Sequence, residues 1–115
     1  MTKKQRLKKK LDKLIQEIYT KKYPKCMVCH APTSEMHHYY PKAQSLRLRY
    51  EPDNLCPLCR SCHFSHHTKG NPIIHEVILK KRGEKWRQKL REKKNEVFKD
   101  TLSNLREIEQ KLGEK

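Results

Sequence analysis

No stretch of the chain approaches the roughly 18 consecutive apolar residues needed to cross a bilayer, and the basic N-terminus is not followed by an apolar segment of the secretory kind. A soluble, cytoplasmic protein without a membrane partner is therefore expected. Apolar side chains are scarce throughout, at 34% hydrophobic against 36% charged residues. In 115 residues this allows one domain and only a small core, and domains so short of apolar surface usually depend on metals or disulfides. Acidic residues are few: 13 Asp and Glu against 28 Lys and Arg leave a formal charge of +15. That density destabilises a compact chain unless a polyanion neutralises it, which points to nucleic acid. The excess is clustered, with ten Lys/Arg and two acids in residues 1–25. Internal repeats, low-complexity tracts and recognised base-reading motifs are missing as well.

Five cysteines, an odd number, argue against a disulfide framework. Four of them form two pairs, Cys26-x2-Cys29 and Cys59-x2-Cys62, separated by 29 residues. Four thiolates so arranged give the tetrahedral sulfur shell that zinc prefers, with no open position. The expected zinc is structural, its binding energy standing in for the missing core. Cys56 is left over and reads as a small buried hydrophobe.

Leu7, Leu11, Leu14, Ile15 and Ile18 recur at helical spacing, so residues 3–20 read as an amphipathic helix ending before Pro24. Residues 24–33 read as a turn-rich knuckle. Residues 35–40 have strand character, as does Asn54–Leu58, and a basic loop containing Arg47 and Arg49 joins them. A short helix is expected from Cys62 to about Thr68, a break at Gly70-Asn71-Pro72, and a helix from Pro72 to about Arg82. Beyond Gly83 the chain reads as one long polar helix from Glu84 to Leu112. Its sparse apolar positions, among them Trp86, Leu90, Val97, Phe98, Leu102, Leu105, Ile108 and Leu112, read as packing residues.

The histidines carry the second constellation: His37-His38, then Asn54, then His63 and His67. On a helix the i, i+4 spacing of His63 and His67 puts both imidazoles on one face, able to grip one cation. His66, at i, i+3, is the alternative to His67. His37 on the facing strand could supply a third nitrogen, and alternation sends His38 to the other face unless the strand is distorted. His30 and His75 receive no role.

His37-His38, Asn54, His63 and His67 resemble the signature of HNH endonucleases, the ββα-metal or His-Me finger family, in the version typical of colicin-type nucleases. The Cys-x-x-Cys pairs around them resemble those that staple many HNH proteins. A weaker similarity links Leu48–Asn54, Cys59-x-x-Cys62 and Gly70-Asn71 to phage recombination endonucleases of the Rap/NinG type, which implies a bacterial or phage-infected host cell. The HNH resemblance implies that His38 is the general base, that Asn54 holds it in position, and that His37, His63 and His67 bind the catalytic metal. It also implies DNA in preference to RNA as substrate. Phosphodiester hydrolysis needs an activated water and a cation to stabilise charge on the phosphate, and the residues suit both tasks.

The expected fold is α+β: a small ββα-metal finger with a four-cysteine zinc site over residues 26–82, a basic N-terminal helix over 1–25 and a C-terminal basic helix over 83–115. Three imidazoles favour Ni2+, Mn2+, Co2+ or Zn2+ over Mg2+, which prefers oxygen ligands. Arg47, Arg49 and Lys69 are candidate DNA contacts. Two other functions fit the same features: a zinc-stabilised module that binds nucleic acid without cutting it, and a ribonuclease with the same site. An open three-histidine site argues against the first.

Overall fold

A computed structural model describes the backbone of residues 1–68 and 73–114, and the side chains of all of these except 65–68. The order of elements is α1 (Lys3–Lys22), β1 (Glu35–His38), α2 (Leu46–Arg49), a 3-10 turn (Pro52–Asn54), β2 (Leu55–Leu58), α3 (Arg60–Thr68), α4 (Ile73–Arg82), α5 (Glu84–Lys94) and α6 (Leu102–Gly113). The α+β class holds. None of the described helices is long and apolar enough to cross a membrane.

Helix α1 starts where a capping box allows it: the Thr2 hydroxyl accepts from the Gln5 N–H, and the Gln5 side chain accepts from the Thr2 N–H. Leu7, Leu11, Ile15 and Tyr19, four residues apart, bury one stripe against Leu105 and Leu112 of α6 and Met36 and Leu55 of the sheet. The sheet is a two-stranded antiparallel ribbon in which Glu35 faces Leu58 and His38 faces Leu55. Alternation turns Met36 and Leu55 towards α1, and sends Cys56 and Leu58 into a second cluster with Cys26, Cys59, Ile74, Ile78 and Leu90. Both faces of the ribbon are thus covered, which is why all of β2 is buried.

A two-stranded ribbon leaves the outer edge of β1 without a strand partner. Helix α1 supplies one with a side chain: the Gln16 amide donates to the Met36 carbonyl at 3.0 Å and accepts from the Met36 N–H at 2.8 Å. Both backbone groups of Met36 are satisfied as a third strand would satisfy them.

Two expectations need correction. The basic loop between the strands contains the short helix α2, started by the Ser45 hydroxyl accepting from the Leu48 N–H. The single helix expected over 84–112 is two helices, α5 and α6. Helix α5 ends at Asn95, and α6 starts at Thr101, whose hydroxyl accepts from the Asn104 N–H at 3.2 Å. The break lets α6 fold back onto α1, where Lys8 pairs with Asp100 at 2.5 Å and Lys10 with Glu109 at 2.8 Å. Val97 lies in the break at 89% exposure and packs nothing. The expected break at Gly70–Pro72 lies outside the described residues.

Candidate active site

The first site is the cysteine cluster. Residues 24–33 form a knuckle closed by a Lys25–Pro32 bridge and by Cys26 N–H donating to the Ala31 carbonyl at 2.7 Å. His30 takes φ 65° at its tip; this left-handed conformation turns the chain back after Cys29. The second pair sits where β2 runs into α3. The sulfurs of Cys26, Cys29, Cys59 and Cys62 all lie within 4.8 Å of one another, and none forms a disulfide. Backbone N–H groups of Val28 and Cys62 point at the sulfurs of Cys26 and Cys59, each at 3.4 Å. Burial raises the Cys26 thiol, but hydrogen bonds around it outweigh this and bring it down to about 7. Burial and the neighbouring thiols Cys59, Cys29 and Cys26 push Cys62 the other way. Four thiols crowded so closely ionise together only around a cation, so the donor set fits a structural metal such as zinc. Cys56, fully buried and raised to about 11 by desolvation, stays a neutral hydrophobe.

The second site lies along the outer edge of β1. A cavity of about 320 Å³ is lined there by Glu35 to Tyr39, Gln16, Pro41, Lys42, His63 and His75. A larger cavity of about 660 Å³, between α6 and residues 47–52, is lined by no histidine or cysteine, whereas the smaller one gathers three of the described histidines, His37, His38 and His63, with His75 beside them. Because the cavity follows a strand edge, His37 and His38 both reach it although they leave β1 on opposite faces. His37 and His63 approach with ring centroids 5.5 Å apart. His63 directs Nδ1 to the Glu35 carboxylate, so Nε2 is the nitrogen that a metal would take, as in the carboxylate–histidine pairs that orient metal ligands.

His38 is buried, and its Nε2 lies 2.9 Å from the Arg49 carbonyl of α2. A carbonyl only accepts, so Nε2 carries the proton and Nδ1 is left as the basic nitrogen. Burial lowers the His38 pKa, the hydrogen bond to the Arg49 carbonyl opposing it in part. His38 is thereby neutral and able to accept a proton near pH 7.

Asn54 fixes the loop that brings this carbonyl into place. Fully buried, its Oδ1 accepts from the Tyr40 N–H at 2.9 Å while Nδ2 donates to the carbonyls of Tyr40 at 3.0 Å and Leu48 at 3.2 Å. These hydrogen bonds all go to the inter-strand segment and none to His38. Asn54 closes the segment between the strands on itself, and α2 within that segment presents the carbonyl to His38.

This order, a strand bearing paired histidines, a loop closed by an asparagine, a second strand and a histidine-bearing helix, coincides with a family match: the HNH endonuclease model covers residues 26–69. The chain carries an HNH endonuclease domain. No curated protein and no solved structure matches the chain significantly. HNH proteins are generally endonucleases acting on nucleic acids, and the matched residues include both cysteine pairs, His37, His38, Asn54 and His63.

Within the HNH domain and beside it, other residues have uses that the sequence did not disclose. Arg49 grips Asp12 of α1 through a two-pronged ion pair at 3.0 and 2.5 Å, and Arg47 pairs with Glu51 and Glu96. These arginines tie α2 to its neighbours, and it is the carbonyl of Arg49 that meets the site. His67 lies on α3 one turn beyond His63; its side chain, that of His66, and Lys69 lie outside the described residues. His75, given no role by the sequence, stands in the cavity with its Nε2 3.0 Å from that of His37. The signal for it was present in α4, where Ile74 and Ile78 mark the buried face and His75 borders it.

Proposed function

We propose that this protein is a metal-dependent endonuclease that hydrolyses phosphodiester bonds of DNA, with His38 as general base. The observation that supports the reading is the setting of His38: its bond to the Arg49 carbonyl keeps the proton on Nε2 and leaves Nδ1 basic, in a residue that lines the same cavity as His37 and His63. In this reading Nδ1 of His38 takes the proton from the attacking water. Asn54 acts through the loop as a positioning residue. His37 and His63, with His67 from the next turn of α3, would hold the catalytic divalent ion, which when bound stabilises negative charge on the phosphate and the leaving oxygen. Imidazole donors suit Ni2+, Co2+, Mn2+ or Zn2+ better than Mg2+.

DNA is placed ahead of RNA because the histidine pattern is similar to that of DNA-cutting colicin-type nucleases. The charge of +15 supports binding through phosphates, with Lys42, exposed on the cavity rim, and Lys69 as contacts. The test is incubation of the zinc-loaded protein with plasmid, branched DNA and RNA across several divalent metals, beside His38→Ala. Metal-dependent DNA cleavage that vanishes in His38→Ala is expected. Cleavage of RNA alone would make it a ribonuclease, and tight binding without cleavage under any metal would make it a binding module; either overturns the proposal.

A further inference from the structure

We propose that His75, on α4 and outside the segment matched by the HNH family, is a ligand of the catalytic metal alongside His37 and His63; this rests on the nuclease reading above. His37 lies between the other two rings, with centroid distances of 5.5 Å to His63 and 5.2 Å to His75. Nε2 of His37 and Nε2 of His75 converge to 3.0 Å. Imidazoles bound to one ion through bonds of about 2.0–2.1 Å stand about 3 Å apart when they occupy adjacent positions at a right angle. The pair is thus already spaced as two neighbouring ligands.

The His75 ring is also held in the orientation a ligand needs. Tyr39 stacks on its face at 4.5 Å and 21°, and Trp86 of α5 closes edge-on against Tyr39 at 4.9 Å. Face contact of this kind fixes the plane of the ring, and with it the direction of Nε2 towards His37. The helix beneath is equally fixed: Ile74 and Ile78 pack in one cluster with Cys26, Cys56 and Cys59, and Lys81 bonds to the Met27 carbonyl in the knuckle. The cysteine site thereby sets the position of His75, and the metal site draws on three elements, β1, α3 and α4.

The test titrates Ni2+ into the full-length, zinc-loaded protein by calorimetry and counts imidazoles around nickel by X-ray absorption, for wild type, His75→Ala, His75→Gln and His67→Ala. Circular dichroism checks the fold, and His75→Gln serves if the alanine variant does not fold. Loss even of an outer partner of a ligand costs roughly 10- to 100-fold in metal affinity, so both His75 variants should lose at least about tenfold. They should also show one imidazole fewer than wild type. An unchanged imidazole count in either folded His75 variant would overturn the proposal, leaving His75 a hydrogen-bond partner of His37, as would a wild-type protein with no nickel–imidazole shell. Plasmid cleavage by the wild type is scored separately. A protein that coordinates nickel through His75 but cuts no nucleic acid overturns the nuclease reading and leaves the ligand assignment standing.

Discussion

Replacing Asn54 with alanine removes three hydrogen bonds from a site with no solvent exposure, to Tyr40 N–H, Tyr40 C=O and Leu48 C=O. At about 1 kcal/mol net each, their loss alone comes to about 3 kcal/mol. The donors and acceptors left behind are buried or half-buried and cost more where water cannot reach them, so about 3–5 kcal/mol is the expected destabilisation. For a chain of 115 residues, a loss near 1 kcal/mol lowers Tm by about 4 °C, giving a drop of about 12–20 °C. The assay is thermal denaturation followed by circular dichroism, with zinc in excess so that the cysteine site stays filled. Asn54→Asp keeps one acceptor for the Tyr40 N–H but sets a carboxylate against two carbonyls, so at pH 7 it should be no more stable than the alanine variant. A shift under about 3 °C for Asn54→Ala, less than 1 kcal/mol on the same scale, would refute the claim that this side chain holds the inter-strand loop. Cleavage by either variant should fall beyond what unfolding accounts for, because α2 no longer fixes the Arg49 carbonyl against His38.

Removing the structural metal, or changing Cys59→Ser, should unfold the knuckle and α3 together, since both cysteine pairs stand at their ends; an unaltered melting transition after complete zinc removal rejects the structural role. His38→Ala should reduce cleavage by about 10²- to 10⁴-fold with binding retained, and full activity in that variant, contaminating nuclease excluded, removes His38 as the base. Burial lowers the His38 pKa, so the neutral, active form persists below the ordinary value of about 6.5 and the acid limb of the rate profile should lie under it. A limb centred above that value contradicts the assignment. Ni2+, Co2+ or Mn2+ should support faster cleavage than Mg2+ at equal concentration, and equal rates with Mg2+ would argue for an oxygen-rich ligand set.

Much of the site was legible because its residues announce themselves by spacing. The four cysteines needed only their two short intervals, and His37, His38 and His63 sit on the strand and helix that periodicity assigned, while Asn54, read as the first residue of the second strand, ends the 3-10 turn before it. What escaped is whatever depends on one element meeting another. Gln16 looks like any polar residue of α1 until β1 lies beside it, and His75 acquires a partner only once α4 packs on the cysteine knuckle. The break between α5 and α6 was hidden for a different reason. Residues 95–101 carry Val97 and Phe98 at positions that continue the apolar pattern, and only the caps at Asn95 and Thr101 mark the interruption. Arg49 read as a free cation because its partner, Asp12, lies 37 residues away, and of the two partners of Arg47 one, Glu96, lies 49 residues away.

The Gln16 amide lying along β1 has a consequence for how this chain stays out of trouble with other chains. An uncovered strand edge is a template for pairing with another molecule, and natural proteins blunt such edges to avoid aggregation. Here the edge also borders the cavity, so a covering strand would have walled off the histidines. One side-chain amide blunts the edge at Met36 alone and leaves the rest of it open to a ligand. The basic N-terminal helix is therefore no detachable arm: a chain that begins beyond Gln16, or one in which α1 frays, would expose a sticky edge beside the histidine cavity.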